Sequence, residues 1–124
     1  MVDGFSGIDN NISVTYLEVK SDNIFLDDNM LTECGLIEHI AQSAAARVGY
    51  IFLSNGEDIK LGYIGSINKF CIERNPKIGE TLKTYIHVVQ EVFNITLIEA
   101  HCFVNEDEIA SCQMKIFLNE DETQ

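Results

Sequence analysis

Residues Gly35 to Tyr50 are the stretch that most limits what this chain can fold into. Leu36, Ile37, Ile40, Ala41, Ala44, Ala45, Val48, Ile51 and Phe52 recur at steps of three and four, which predicts one long helix with a wide apolar face. Such a face has to be covered by other parts of the chain. His39, Ser43 and Arg47 step by four and are expected to form the solvent stripe of this helix. Glu38 and Gln42 also step by four, about 100° per residue from that stripe, on its edge or facing inward. A carboxylate held among apolar groups has its pKa pushed up and becomes a candidate acid or base. A solvated edge residue paired with Gln42 is the plainer reading of Glu38, and periodicity alone leaves both open.

Outside the helix the apolar pattern has a period of two. Ile12–Lys20 alternates Ile12, Val14 and Tyr16 against Ser13, Thr15 and Leu17, and residues 2–7 read as a further short strand. After the helix come strands over residues 63–72, 81–92, 94–104 and 109–118. On the second of these, Leu82, Thr84, Ile86 and Val88 face one way and Lys83, Tyr85, His87 and Val89 the other. Gly62 and Gly65 near the start of the first suggest a bulge or a close approach. The chain's one proline lies in the loop over residues 75–80, and an acidic turn occupies residues 105–108. Short turns imply antiparallel neighbours. The expected architecture is a single α+β domain over residues 1–124, an antiparallel sheet covering one long helix.

Composition removes several classes of function. Eight Lys and Arg against twenty Asp and Glu give a net charge of −12, which argues against nucleic acid and against an anionic membrane surface. Part of the excess sits in residues 119–124, expected to be a frayed acidic tail. No apolar run approaches the ~20 residues that span a bilayer and no signal peptide opens the chain, so a cytoplasmic location is expected. Cys34, Cys71, Cys102 and Cys112 lack metal-ligand spacing, so neither a zinc site nor another cofactor is expected. Cys71, Cys102 and Cys112 read as small buried hydrophobes in strands. Cys34 lies near the helix start, where a thiolate is favoured, but no local base serves it.

Four motifs now line up in order. Leu36-Ile37-Glu38-His39-Ile40-Ala41-Gln42 carries an acid followed by an Ala-Gln pair; Gly65-Ser66-Ile67-Asn68-Lys69-Phe70 opens the next strand; Ile78-Gly79-Glu80-Thr81-Leu82 precedes the long strand; and the acidic turn follows. The chain thereby resembles the hot-dog β-hydroxyacyl-ACP dehydratases of the FabA/FabZ type, whose helix motif is G-V-L-I-x-E-x-x-A-Q and whose next strand reads G-I-x-x-A-R-F. The resemblance implies a hot-dog fold, a curved antiparallel sheet wrapped around a central helix, and a dimer with a second copy or with a homologous hot-dog subunit. It also implies a substrate presented as an acyl thioester on acyl carrier protein or on CoA.

One departure stands out. The family pairs the helix Glu with a His fourteen residues earlier, and that position here is Ile24, in Asp22-Asn23-Ile24-Phe25-Leu26. No His precedes Glu38. An Asn in this loop followed by G-x-x-E-x-x-A-Q resembles the dehydratase-like branch found with aryl-polyene and flexirubin-type pigment synthesis.

The candidate site residues follow. Glu38 is the candidate general acid/base, with Gln42 one turn on to orient it. Asn23 offers an amide to a thioester carbonyl, and the backbone N–H groups of Gly35 and Leu36 offer donors for a developing oxyanion; a turn role is the alternative for Asn23. Ile67 and Phe70, with Ile64, Ile86 and Val88, line either an acyl channel or the core. His39, His87 and His101 are not expected to be catalytic. Arg47, Lys60, Lys69, Arg74 and Lys77 hold most of the positive charge and would suit an acidic carrier if they form one patch. Three functions remain in play: a hydroxyacyl-thioester dehydratase, a non-catalytic partner of one, and a thioesterase using a single helix carboxylate.

Overall fold

The computed structural model describes residues 2–9, 12–54, 62–92 and 94–118, with side chains described outside residues 6–9, 48–54, 62–64 and 118. Strands β1 (Gly4–Asp9) and β2 (Ile12–Glu18) lead to a small hairpin, β3 (Leu26–Asp27) and β4 (Met30–Leu31). Helix α1 (Glu33–Ser54) follows, then β5 (Gly62–Ile72), β6 (Thr81–Val92), β7 (Ile95–Val104) and β8 (Asp107–Leu118). The main sheet runs β1-β2-β6-β7-β8-β5 with every neighbouring pair antiparallel. This is the α+β arrangement that the periodicity predicts. No described helix is long and apolar enough to cross a membrane.

The β3–β4 hairpin escaped the sequence reading because strands of two residues carry no periodicity. Its turn residues, Asp28 and Asn29, take φ of 52° and 64°, a left-handed conformation that Asp and Asn tolerate through local side-chain hydrogen bonding. The helix begins two residues earlier than its apolar pattern suggests. Thr32 is its N-cap: its Oγ1 accepts from the Gly35 N–H at 3.2 Å and its carbonyl from the Leu36 N–H at 2.9 Å. The ladder slips between Ile64 and Ser66, so Gly65 is the bulged residue, and a Cβ there would overlap the ring of Phe117. Both readings of the β5 glycines, bulge and close approach, meet at Gly65. A second slip, between Asn68 and Cys71, contains Lys69 at φ 55°.

The core lies between α1 and the inner face of the sheet. Leu36, Ile40 and Ala44 pack with Leu82, Ile86, Ile98, Ala100 and Met114 in one buried cluster. Strand β7 alternates half-buried and buried over its whole length, as a sheet covered on one side should.

The expected solvent stripe of the helix is a correction. His39, Ser43 and Arg47 are 0%, 0% and 5% exposed and lie on the sheet side. The reason is the inward face of the strands: β2 turns Ser13, Thr15 and Leu17 inward, and β6 places Thr84 between Leu82 and Ile86. Buried hydroxyls need polar partners, and the helix supplies them. His39 Nε2 bonds Thr84 Oγ1 at 2.7 Å, and Thr84 donates to Cys102 Sγ at 3.4 Å, so the His39 proton sits on Nε2. Thr15 and Ser43 hydroxyls meet at 2.6 Å, and Ser43 donates to the His39 carbonyl at 2.8 Å. A polar seam thus runs through an otherwise apolar interface. At its far end Ser13 Oγ and Arg47 Nη1 are buried without a hydrogen-bond partner among the described residues, and burial lowers the pKa of Arg47 despite the attraction of Glu91.

Cys71 is a second correction. It is exposed, because the slip beside Lys69 interrupts the inward alternation of β5. Cys102 and Cys112 are buried as expected, and burial pushes their thiols up to about 12 and about 11.

Candidate functional site

The region around the start of α1 gathers several of the candidate residues. The loop before β3 is stapled to the helix. Asn23 N–H donates to the Lys20 carbonyl at 3.1 Å, Asn23 Oδ1 accepts from the Phe25 N–H at 2.8 Å, and Thr32 N–H donates to the Phe25 carbonyl at 2.9 Å. Phe25 then lies against Gly35, where an added Cβ would stand 2.7 Å from both Phe25 Cβ and Leu31 Cδ1. Glycine at 35 is what lets loop and helix approach this closely. Asn23 therefore closes an Asx turn through its side-chain oxygen, the turn role that was its alternative reading. The Gly35 and Leu36 N–H groups are both engaged by Thr32, so their donors are committed to the cap. Leu36 itself is fully buried in the core.

Ile24 stands at the tip of this loop and is 88% exposed. A concavity of about 330 Å³ lies beside it, lined by Leu17, Lys20, Asn23, Ile24 and Phe25 among others. Glu38 is not among its lining residues. It sits half-buried on the side of α1 turned away from the sheet, one turn from exposed Cys34 and one from exposed Gln42. Gln42 Nε2 donates to Glu38 Oε2 at 2.8 Å. Half-buried Ile37 and Ala41 flank this acid, and exposed Ala45 continues the same face.

Ile67 and Phe70 on β5 are half-buried and pack against the core cluster, as does Val88, while Ile86 is a full member of it. Ile64 lies outside the described side chains. Within this chain, then, the Asn23 turn holds Phe25 against Gly35 at the helix start, Leu36 lies in the core, Glu38 and Gln42 form a separate pair on the open helix face, and Ile67 and Phe70 belong to edge strand β5.

The loop between β5 and β6 braces the same region. Asn75 Nδ2 donates to the Leu31 carbonyl at 2.8 Å, and Leu31 N–H to the Pro76 carbonyl at 2.8 Å. Arg74 grips Glu80 with two bonds of 2.9 and 3.1 Å, and Glu80 also accepts from the Lys77 N–H at 2.8 Å. The Arg74 hydrogen bond, then that of Lys77, holds the Glu80 carboxyl below its ordinary range, and Glu80 raises Arg74 in turn. The expected cationic patch does not assemble among the described residues. Arg47 is buried under the helix and Arg74 is paired, which leaves Lys69 and Lys77 exposed; Lys60 lies outside the described residues.

The histidines are spent elsewhere or point elsewhere. His39 is in the seam, His87 is exposed on the outer face of β6, and His101 lies 2.6 Å from Glu108 and 3.7 Å from Glu99. What sequence reasoning missed is the seam itself. The signal was present in Thr84, a hydroxyl on the otherwise apolar face of β6, because an inward hydroxyl demands a polar stripe on whatever covers it.

Known proteins share this arrangement. A family model described as ApeP-like, ApeP dehydratase, matches residues 1–124. The dehydratase heterocomplex ApeI:P from Xenorhabdus doucetiae contains a chain that superposes with a TM-score of 0.88 at 14% identity, over 98% of this chain and 84% of that one. A hypothetical thioesterase with coenzyme A from Streptococcus pneumoniae TIGR4 aligns with a TM-score of 0.73 at 12% identity, covering 94% and 90% of the two chains. A probable thioesterase from Bartonella henselae aligns at 0.72 with 11% identity, covering 93% and 96%. No curated protein sequence matches. At these identities the structures establish the fold, which is the hot-dog fold: a curved antiparallel sheet around one helix.

Proposed function

This chain belongs to the ApeP-like dehydratase family, and from that membership we propose that it is a dehydratase subunit acting on 3-hydroxyacyl thioesters, in a site completed by a homologous hot-dog subunit. The observation that carries this reading is Ile24. By the sequence resemblance it stands where the FabA/FabZ-type dehydratases carry their histidine; it projects 88% exposed from a loop held by the Asn23 turn and cannot take a proton. None of the chain's three histidines replaces it on the open side of α1. Glu38 does stand on that side, on a face with apolar neighbours that a second subunit would cover. Covering it would desolvate the carboxylate and favour its protonated form.

Dehydration needs a base to remove the α-proton and an acid to help the β-hydroxyl leave as water. In the proposed division of labour the homologous subunit supplies the histidine base and this chain supplies the acid, Glu38, oriented by Gln42. The products are the enoyl thioester and water, and acid and base suffice for the step. The named heterocomplex is consistent with two unlike hot-dog subunits working together. With Arg47 buried and Arg74 paired with Glu80, an acidic carrier would dock chiefly on the partner.

A purified chain incubated with a 3-hydroxyacyl carrier thioester should show no loss of water by mass spectrometry. Adding a homologous subunit with the histidine should give turnover, and Glu38→Gln in the mixture should lower it by about 10²–10⁴. Full turnover by the chain alone, or by the Glu38→Gln mixture, refutes the reading. Release of free acid instead of water loss identifies a thioesterase.

A further inference from the structure

Helix α1 is apolar around more of its circumference than the sheet covers. Leu36, Ile40 and Ala44 are buried, yet each is followed by another apolar residue, Ile37, Ala41 and Ala45, which are half-buried or exposed. Successive residues stand about 100° apart around a helix. A turn of that size would set Ile37, Ile40, Ala41, Ala44 and Ala45 against the sheet and carry His39 and Ser43 away from it. Hydrophobic burial is non-directional, so by itself it does not select the observed rotation.

Directed bonds select it. His39 Nε2 donates to Thr84 Oγ1 at 2.7 Å, and the Ser43 and Thr15 hydroxyls meet at 2.6 Å. All four side chains are 0% exposed. A buried donor that loses its acceptor carries its full desolvation cost, so each bond defines the helix face more sharply than apolar contact does. Buried polar pairs of this kind can fix one packing among several.

The two ties differ in consequence. Ser43 donates to the His39 carbonyl at 2.8 Å, so loss of the Thr15 hydroxyl leaves no donor orphaned. Loss of the Thr84 hydroxyl orphans the His39 N–H. That penalty falls as α1 turns His39 away from the sheet, and Glu38, its neighbour along the chain, turns with it. Side-chain tips stand about 5–6 Å from a helix axis, so a turn of ~20° moves the carboxylate by about 2 Å. Gln42 lies on the same helix and moves with the acid it bonds, so it does not correct the shift. A displacement of ~1 Å in a reacting group can cost about 10²-fold in rate.

We propose that Thr84 is a positioning residue: through His39 it sets the rotation of α1, and thereby the place of the Glu38 carboxylate on the opposite side of the helix. This role rests on the reading of Glu38 as the acid in dehydration.

A double-mutant cycle tests it, with the chain mixed with the homologous histidine-bearing subunit at a temperature where circular dichroism shows every variant folded. Thr84→Val should lower kcat at least about tenfold with KM changed by less than about twofold, and Thr84→Ser, which keeps the hydroxyl, should restore it. In a Glu38→Gln background Thr84→Val should change kcat by less than about twofold, because the acid it places is gone. A merely structural role would lower activity equally in both backgrounds. Wild-type kcat in Thr84→Val overturns the proposal, as does a Thr84→Ser variant equally slow, or an undiminished effect in the Glu38→Gln background. Full turnover by Glu38→Gln alone is a separate result: it removes the acid, and the positioning role with it.

Discussion

Replacing Thr84 by valine tests the polar seam most directly. Valine has nearly the same shape, so no cavity opens and the change isolates the hydroxyl. In the native fold that hydroxyl accepts the His39 Nε2 proton at 2.7 Å and donates to Cys102 Sγ at 3.4 Å, with Thr84, His39 and Cys102 all 0% exposed. The sulfur bond is long and adds little. The orphaned imidazole N–H cannot reach water, so the cost is the desolvation of a buried donor, about 1–3 kcal/mol. For a domain of this size ~2 kcal/mol lowers the melting temperature by roughly 6–10 °C. Thr15→Val is the matched control. It also removes a buried hydroxyl, but Ser43 keeps its donor bond to the His39 carbonyl, so no donor is orphaned and the cost should stay near ~1 kcal/mol. Urea titrations of the two variants and the wild type, with unchanged m-values, give the comparison. A Thr84→Val cost below ~0.5 kcal/mol, or a cost smaller than that of Thr15→Val, refutes the seam as a set of satisfied buried bonds.

Arg47→Met should be neutral or stabilising by thermal melt, because it removes a buried guanidinium with an unpartnered Nη1 and keeps the aliphatic volume; a loss above ~2 kcal/mol would mean the charge has a stabilising role. Gly35→Ala should cost about 1–3 kcal/mol, since its Cβ meets Phe25 Cβ, which cannot swing aside, and a stability equal to wild type contradicts the close approach. Cys34 and Cys71 should react quickly with a thiol reagent at pH 8 and Cys102 and Cys112 only on unfolding, so four fast thiols would exclude the buried pair. The two buried thiols have folded pKa values of about 12 and about 11, above the unfolded value, so their contribution is complete below about pH 9 and is lost as pH rises toward those values. Stability should decline by up to ~1.4 kcal/mol per pH unit per thiol over that range, and a flat profile to pH 11 would contradict it. Ile24→His returns a base to the loop. Because the proposed site needs a second subunit, the variant should give detectable water loss from a 3-hydroxyacyl carrier thioester only where two copies face each other, against none for the wild-type chain alone; no water loss at any concentration removes Ile24 from the base position.

The architecture was legible because it is written in periods. The three- and four-residue steps of Leu36, Ile40 and Ala44 and the strict alternation of Leu82, Thr84 and Ile86 reappear as buried positions, and the limits of β6 coincide with the expected ones. The β3–β4 hairpin was illegible for want of length, and the exposure of Cys71 because a bulge shifts alternation without leaving a repeat. For the candidate site, the pairing of Glu38 with Gln42 and the turn at Asn23 were both within reach of the sequence, because each is a local contact. It could not say that the Gly35 and Leu36 N–H groups are consumed by Thr32, since that depends on where the helix starts.

The sequence by itself determined the helix, the long strands and the family motifs, because each is carried by neighbours along the chain. It did not determine the strand order, in which β5 pairs with β8 and not with β6, the strand that follows it. Only the tertiary structure decided which side of α1 meets the sheet. Hydrophobic periodicity assigns polar stripes to water on the assumption that the covering surface is apolar. Here β2 and β6 turn Ser13, Thr15 and Thr84 inward, and the hydrogen-bonding demand of those hydroxyls rotates His39, Ser43 and Arg47 into the interface. That rotation leaves Glu38 on the open face. The outward position of the acid is therefore set by buried groups elsewhere in the chain, through contacts that no local pattern contains.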